Sequence, residues 1–224
     1  KIEDKNNEIL LDDAFQSHYI HKTTDIVLFN CLHPENQFHL LPAGFLRTPM
    51  SSLIRANLII FTKQNLLDAQ PLPGPAQKIL EFLKNKKIPY LFSKYNFFYQ
   101  EYDTGIQKMK PFQCIEKKHE PTLAVCGIGD SKSFNIICNK FFTNIVIQQA
   151  FADHYHYNNF EFDLESLYGT NSFSSIVTTY KDFIKLSEQS SEILKWLKEK
   201  KIRIFIIEIE IYIKDELNHL AKLI

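Results

Sequence analysis

The chain has 224 residues, 45% of them apolar, so it can bury a core of its own and is not expected to be disordered. Lys plus Arg balances Asp plus Glu at 26 each, which argues against a general nucleic-acid binder, since such a protein carries a basic excess. No segment reaches the ~18 apolar residues of a membrane span, because Glu208 and Glu210 interrupt the apolar stretch from Ile202 to Ile213. The four cysteines, Cys31, Cys114, Cys126 and Cys138, form no C-x-x-C pair; scattered single thiols fit buried apolar positions in a reducing setting.

In chain order, the first apolar run is Ile9 to Leu11, expected as a short strand ending at Asp12-Asp13. Asp25 to Asn30 and Ala56 to Thr62 carry continuous apolar runs of the kind that suits strands buried on both faces of a parallel sheet. Gln70 to Pro75 reads Q-P-L-P-G-P, which marks a boundary, and it predicts domains at about 1–68 and 69–224. Beyond it a helix is expected from Ala76 to Lys86, then an aromatic extended stretch from Tyr90 to Tyr102. A strand at Thr122 to Cys126 leads through Gly127-Ile128-Gly129-Asp130 into a helix at Ser131 to Lys140, and Asn144 to Gln149 is a further strand. Phe160 to Tyr168 reads as helix, Ser175 to Thr179 as strand, and Thr179 to Leu186 as the start of another helix. Residues 188–201 are amphipathic, Ile207 to Ile213 alternates like a strand with one wet face, and Asp215 to Leu223 is expected to be helical. Strands alternating with helices predict an α/β architecture. Because the chain starts at Lys1 without a methionine and soon enters an apolar run, it is expected to begin inside a domain.

Chemistry concentrates where apolar runs end. Asp12 and Asp13 follow the first run; carboxylates at a strand's carboxyl end can hold Mg²⁺, and either can equally cap a helix. Arg47 sits in the loop Leu40-Leu41-Pro42-Ala43-Gly44-Phe45-Leu46-Arg47-Thr48-Pro49, where its planar fork suits a phosphate, or where it is simply a surface arginine. The Gly127 to Asp130 turn is not a Walker loop, as no Gly-Lys-Ser/Thr occurs in the chain; a plain strand-to-helix turn capped by Asp130 or Ser131 is the simpler reading. Phe151-Ala152-Asp153-His154-Tyr155-His156-Tyr157 places a carboxylate beside an imidazole, so His154 can act as a general base or, with Asp153 and His156, ligate a metal. In Thr178-Thr179-Tyr180-Lys181-Asp182, Lys181 can neutralise a phosphate with Asp182 holding it, or Thr179 can cap a helix whose Lys-Asp pair is solvated.

In this order "LLDDAFQ", "LLPAGFLRTP", "AVCGIGD", "FADHYHY" and "TTYKD" resemble successive motifs of the tetraacyldisaccharide 4'-kinases, with a flavour of the Bacteroidetes branch. The resemblance runs from about Ile9 to near the C-terminus. It implies a P-loop NTPase-like parallel sheet, incomplete here because its N-terminal part is missing, plus a second α/β domain contributing to the lipid-substrate cleft. It further implies transfer of the ATP γ-phosphate to the 4' hydroxyl of the lipid A disaccharide precursor with Mg²⁺, at the cytoplasmic face of the bacterial inner membrane, by peripheral contact and without nucleic acid. By the same resemblance Asp12 and Asp13 match the acidic pair near metal and phosphates, with Asp13 also expected to be catalytic, and His154 matches the histidine that pairs with a catalytic aspartate. Gln16, Arg47, Lys181 and Asp182 match motif positions expected to bind substrate or phosphate. Ser17 and Tyr180 depart from the histidine and glutamate usual there. With no P-loop, this stretch alone is expected to be inactive. A degenerate module that binds acylated sugar, and a metal-dependent hydrolase built on Asp153, His154 and His156, are the alternatives.

Overall fold

The computed structural model describes residues 9–33, 38–44, 46–67, 71–110, 116–152, 155, 157, 160–189 and 191–214. The elements are β1 (Ile26–Asn30), β2 (Leu58–Thr62), α1 (Gly74–Lys86), β3 (Tyr90–Asp103), β4 (Lys108–Met109), β5 (Thr122–Cys126), α2 (Ser131–Phe141), β6 (Ile145–Ala150), α3 (Phe160–Thr170), β7 (Ser175–Thr179), α4 (Tyr180–Gln189), α5 (Ser191–Glu199) and β8 (Arg203–Ile213). Short 3-10 turns occupy Met50–Arg55 and Gln64–Leu66. The chain divides into two compact units, residues 1–94 with 212–224, and residues 95–211. The first unit thus runs past the boundary expected at 68. The reason is α1, whose Ile79, Leu80 and Leu83 stripe packs on Ile59 and Phe61 of β2 and so belongs to the same core.

In the first unit β1, β2 and β3 lie in that order, all parallel, with Ile26 opposite Leu58 and Ile59 opposite Tyr90. Every residue of β2 is buried, which is what its unbroken apolar run requires of a central parallel strand. Helix α1 starts two residues earlier than expected: Pro75 sits in its first turn, where a missing N–H costs nothing. It stops at Lys87 in a left-handed conformation (φ 56°), whose N–H reaches the carbonyls of Leu83 and Lys84. Ile9 to Leu11 is no strand. Ile9 and Leu10 are 82% and 94% exposed, and an apolar triplet without a pairing neighbour has nothing to hold it extended.

In the second unit the order is β3–β8–β7–β5–β6, with the β5–β6, β5–β7 and β7–β8 pairs parallel and the short β4 antiparallel to β3. Its core is centred on Leu123, Val125, Leu164, Ile176, Ile193 and Ile206. Parallel pairing sends the chain out of β5, β6 and β7 at one end of this sheet, so residues 127–130, 151–152 and the start of α4 all leave from that end. Strand β8 is longer than expected and its alternation is not obeyed. Ile204 to Ile207 are buried in succession, while Ile209, Ile211 and Tyr212 are all exposed, because cover from packed elements rather than side-chain parity decides burial here. Among the described residues no helix is long and apolar enough to cross a membrane. The helix expected at Asp215 to Leu223 lies outside the described residues.

Candidate functional site

The acidic motif of the first unit forms a turn, closed by Ser17 N–H donating to the Ala14 carbonyl at 3.0 Å. Asp13 takes a left-handed backbone (φ 50°), a conformation that aspartate tolerates better than most residues. Its Oδ2 accepts a hydrogen bond from Arg47 Nη1 at 2.7 Å, so two residues 34 apart in sequence, expected at one site, do meet. The flanks of the turn are held by Lys22, whose Nζ donates to the Ala14 and Phe15 carbonyls at 2.7 and 3.2 Å and pairs with Asp25, and by Arg55, whose guanidinium stacks 4.7 Å over the Phe15 ring. The Gln16 Oε1 beside them is buried and takes no hydrogen bond among the described residues.

Arg47 reaches Asp13 from a closed loop. Leu41 N–H donates to the Leu46 carbonyl, Leu46 N–H to that of His39, and Gly44 N–H to that of Leu40. A side chain at Gly44 would collide with the His39 backbone, its Cβ falling against the carbonyl oxygen and 2.8 Å from the nitrogen. Both partners of the Asp13–Arg47 pair are largely exposed, at 67% and 60% of their side chains. Such an exposed pair contributes only ~0–1 kcal/mol to stability. Asp12 is exposed in the same turn. Among the described residues no three His, Cys, Asp or Glu side chains cluster as a metal cage. Mg²⁺ needs no such cage, since it keeps waters and takes one or two carboxylates plus phosphate oxygens, a donor set that Asp12 and Asp13 fit.

The second unit brings three chain segments together at the carboxyl ends of β5, β6 and β7. Asp182 in the first turn of α4 is fully buried. Its Oδ2 accepts from the Gly127 N–H at 3.0 Å and from Thr179 Oγ1 at 2.7 Å, while its own N–H donates to Thr179 Oγ1 at 3.2 Å. Thr179 therefore caps the helix as the sequence suggested, but Asp182 is turned inward rather than into solvent. Lys181 beside it is exposed. The next turn, Gly127 to Asp130, is closed by Asp130, whose carboxylate accepts from Ser133 N–H at 3.0 Å and Ser133 Oγ at 2.6 Å. The third segment is anchored by aromatic rings: Phe151 stacks on Tyr155 at 4.0 Å, and Tyr157 and Phe160 are fully buried. Burial pushes the Tyr157 hydroxyl well above the ordinary tyrosine value, and the nearby charge of Asp182 pushes further the same way. Burial and the same carboxylate raise the Cys126 thiol to about 11, so it is an inert thiol at neutral pH. His154, Asp153 and His156 lie outside the described residues. Gly127 was read in the sequence as part of a turn whose amides could receive an anion or that is simply capped, and Tyr157 had no reading of its own; the hint was a second tyrosine two residues past Tyr155, which parity alone does not assign to a core.

Mostly parallel strands, with acidic, basic and glycine-containing turns at their ends, define an α/β protein of the class whose ligands meet the carboxyl edge of the sheet. The same fold occurs in a crystal structure of LpxK from Aquifex aeolicus in complex with ATP, with a TM-score of 0.56 and 23% identity over 95% of this chain and 55% of that one. Residues 2–223 match the profile of the Tetraacyldisaccharide-1-P 4'-kinase family, and the chain belongs to that family. Relatives named tetraacyldisaccharide 4'-kinase include one from Halothermothrix orenii, 28% identical over 94% of this chain and 55% of its own length, and one from Leptospira biflexa, 29% identical over 96% and 60%. The chain therefore spans about half the length of the curated relatives it matches.

Proposed function

We propose that this chain works as part of an ATP-dependent kinase that transfers the γ-phosphate to the 4' hydroxyl of the tetraacyldisaccharide 1-phosphate precursor of lipid A. The observation that carries the reading is the family match across residues 2–223, with Asp13 and Arg47 paired at 2.7 Å in its support. Transfer of a phosphoryl group asks for positive charge near the phosphates, a metal and an oriented hydroxyl, with little covalent work for the protein. In this reading Asp12 and Asp13 hold Mg²⁺, which screens phosphate charge when bound. Arg47 and Gln16 contact phosphate or substrate, released from their present partners or aimed from the same turn. Lys181 faces phosphate from the start of α4, with Asp182 behind it. His154 takes or orients the proton of the accepting hydroxyl, assisted by a carboxylate. Nucleotide binding, expected of residues 1–68, falls in this reading to the first unit, and the lipid substrate, expected of residues 69–224, to the second. No Gly-x-x-x-x-Gly-Lys-Ser/Thr loop occurs in this sequence, so the reading assigns it no Walker-type contact to the phosphates. The enzyme meets its acylated substrate at the cytoplasmic face of the inner membrane, without a spanning helix of the described residues.

The test is a 4'-phosphorylation assay of the protein as it is naturally made, with ATP, Mg²⁺ and lipid A disaccharide, beside its His154→Ala variant. Turnover that drops by ~100-fold or more in the variant is expected, the usual scale for loss of an acid–base group. Saturable binding of the disaccharide with no turnover would replace the kinase by a degenerate sugar-binding module.

A further inference from the structure

We propose that Lys22 is a positioning residue for Mg²⁺: a shielded ammonium that pins the turn carrying Asp12 and Asp13 to the sheet, and so sets where the two carboxylates meet the metal. The proposal rests on the reading in which these carboxylates hold Mg²⁺, though the pinning itself does not.

The acidic turn needs an anchor from elsewhere in the chain. Among the described residues no strand leads into it, and Ile9 and Leu10 just ahead are 82% and 94% exposed. Asp13 takes a left-handed backbone, φ 50°, which an L-residue keeps only when its neighbours hold it. Its contact with Arg47 joins two largely exposed side chains and adds little hold. Lys22 supplies the anchor. A lysine ammonium has three donors, and three acceptors surround this one: the Ala14 carbonyl at 2.7 Å, the Phe15 carbonyl at 3.2 Å and Asp25 Oδ1 at 2.8 Å. The Lys22 and Asp25 side chains are only 11% and 18% exposed. The Ala14 oxygen also accepts the Ser17 N–H that closes the turn, so the ammonium and the turn closure meet at one atom. Asp25 passes the tie to the sheet: its N–H donates to Asn57 Oδ1 at 2.8 Å, and its carbonyl accepts the Asn57 N–H at 2.9 Å, one residue ahead of the fully buried β2. With its three donors engaged and little of its side chain in solvent, Lys22 acts on the turn rather than on a phosphate. Without the ammonium the same carboxylates remain, but binding Mg²⁺ must first order the turn that bears them, which lowers affinity for the metal.

The experiment compares the natural protein with Lys22→Met and with the double variant Lys22→Met, Asp25→Asn, which removes the ammonium without leaving a shielded carboxylate unpaired. Free Mg²⁺ is titrated in the 4'-phosphorylation assay at saturating ATP and disaccharide. Hydrogen exchange follows the Ser17 amide against the amide of Phe61 in buried β2. In both variants the Mg²⁺ concentration for half-maximal rate is expected to rise about 10- to 100-fold, the scale for losing support behind metal ligands, with KM for the disaccharide unchanged. The Ser17 amide is expected to exchange about 10-fold faster while Phe61 is unchanged, as for a local loosening. A lysine that only stabilises the fold would lower the amount of active protein and leave the Mg²⁺ midpoint in place, and that result overturns the proposal. So does a rise in the disaccharide KM alone, which would put Lys22 in the substrate site. If the unsubstituted protein shows no turnover, or turnover that needs no Mg²⁺, the kinase or the metal reading falls by itself. Ser17 exchange then decides the pinning alone: faster exchange in the variants keeps it, equal exchange removes it.

Discussion

Gly127 lies where a methyl group would meet Asp182 Oδ1, the Tyr157 oxygen and Tyr155 Cβ at 3.1, 3.2 and 3.3 Å, none of them the loose end of a flexible side chain. Gly127→Ala is expected to destabilise the protein by about 1–3 kcal/mol, the range for overpacking a filled core, in urea unfolding. Gly169 is the opposite case. It lies in α3 with no heavy atom within 4 Å of a Cβ and without a positive φ, so Gly169→Ala should stabilise by up to about 1 kcal/mol in the same assay. Thr178 offers a third sign. Its Oγ1 is buried without a hydrogen-bond partner among the described residues, against a small apolar cavity lined by Leu164, Ile176 and Ile204. Thr178→Val removes that unmet hydroxyl and should be neutral or stabilising by roughly 1 kcal/mol; a loss of stability would mean that the hydroxyl has a partner. At this scale the sequence shows which residues are chemical but not which way they face. Thr179 as a cap was readable from its own neighbours. The inward turn of Asp182 was not, because its partner Gly127 is 55 residues away and a lysine–aspartate pair in a first helical turn looks solvated. Asp13 and Arg47 were each readable only as candidates for a ligand, while their meeting depends on how the loop from His39 to Leu46 closes on itself.

Strands β2 and β5 were legible because burial on both faces leaves an unbroken apolar run too short for a helix and bounded by turn residues. Strand β8 was only half legible, since its first residue is a charge that belongs to a network. Arg203 donates to both oxygens of Glu101 on β3, from Nε at 3.2 Å and Nη2 at 2.8 Å, and from Nη1 to Glu120 at 2.8 Å. Lys110 donates to Glu101 at 2.7 Å, and the Arg203 guanidinium lies 4.8 Å over the Phe205 ring. Burial pushes the Glu101 carboxyl up, but the hydrogen bonds and charges of Arg203 and Lys110 outweigh it and hold the group below the ordinary 4.5. A carboxylate with a lowered folded-state pKa contributes stability that is fully present above the ordinary value and is lost as pH falls through the folded one. The thermal midpoint should therefore drop as pH falls below 4.5, and Glu101→Gln should make that drop shallower while lowering the midpoint at neutral pH. A variant whose profile runs parallel to the parent would show that the network, partly open to solvent, contributes nothing that titrates.

Among the described residues the two larger apolar clusters share no buried residue. One gathers Ile59, Phe61, Ile79 and Leu83 in the first unit; the other gathers Leu123, Leu164, Ile193 and Ile206 in the second. The single tryptophan, Trp196, packs against the second core and meets the Tyr168 ring edge-on at 5.5 Å, so its fluorescence reports that unit alone. Leu83 is fully buried in the first core, and Leu83→Ala should cost about 2–5 kcal/mol there, through lost burial and the cavity left behind. If each core sustains its own unit, urea unfolding of the variant will show an early loss of far-ultraviolet circular dichroism while the Trp196 midpoint stays where it was, a departure from two-state behaviour. Strands β3 and β8 are the described strands through which this could fail, since β3 up to Lys94 and β8 from Tyr212 belong to the first unit and the rest of each to the second. Midpoints that move together would mean that melting the first core disturbs β3 and β8 in the second unit, and these two strands would then be the elements that make the chain fold as one.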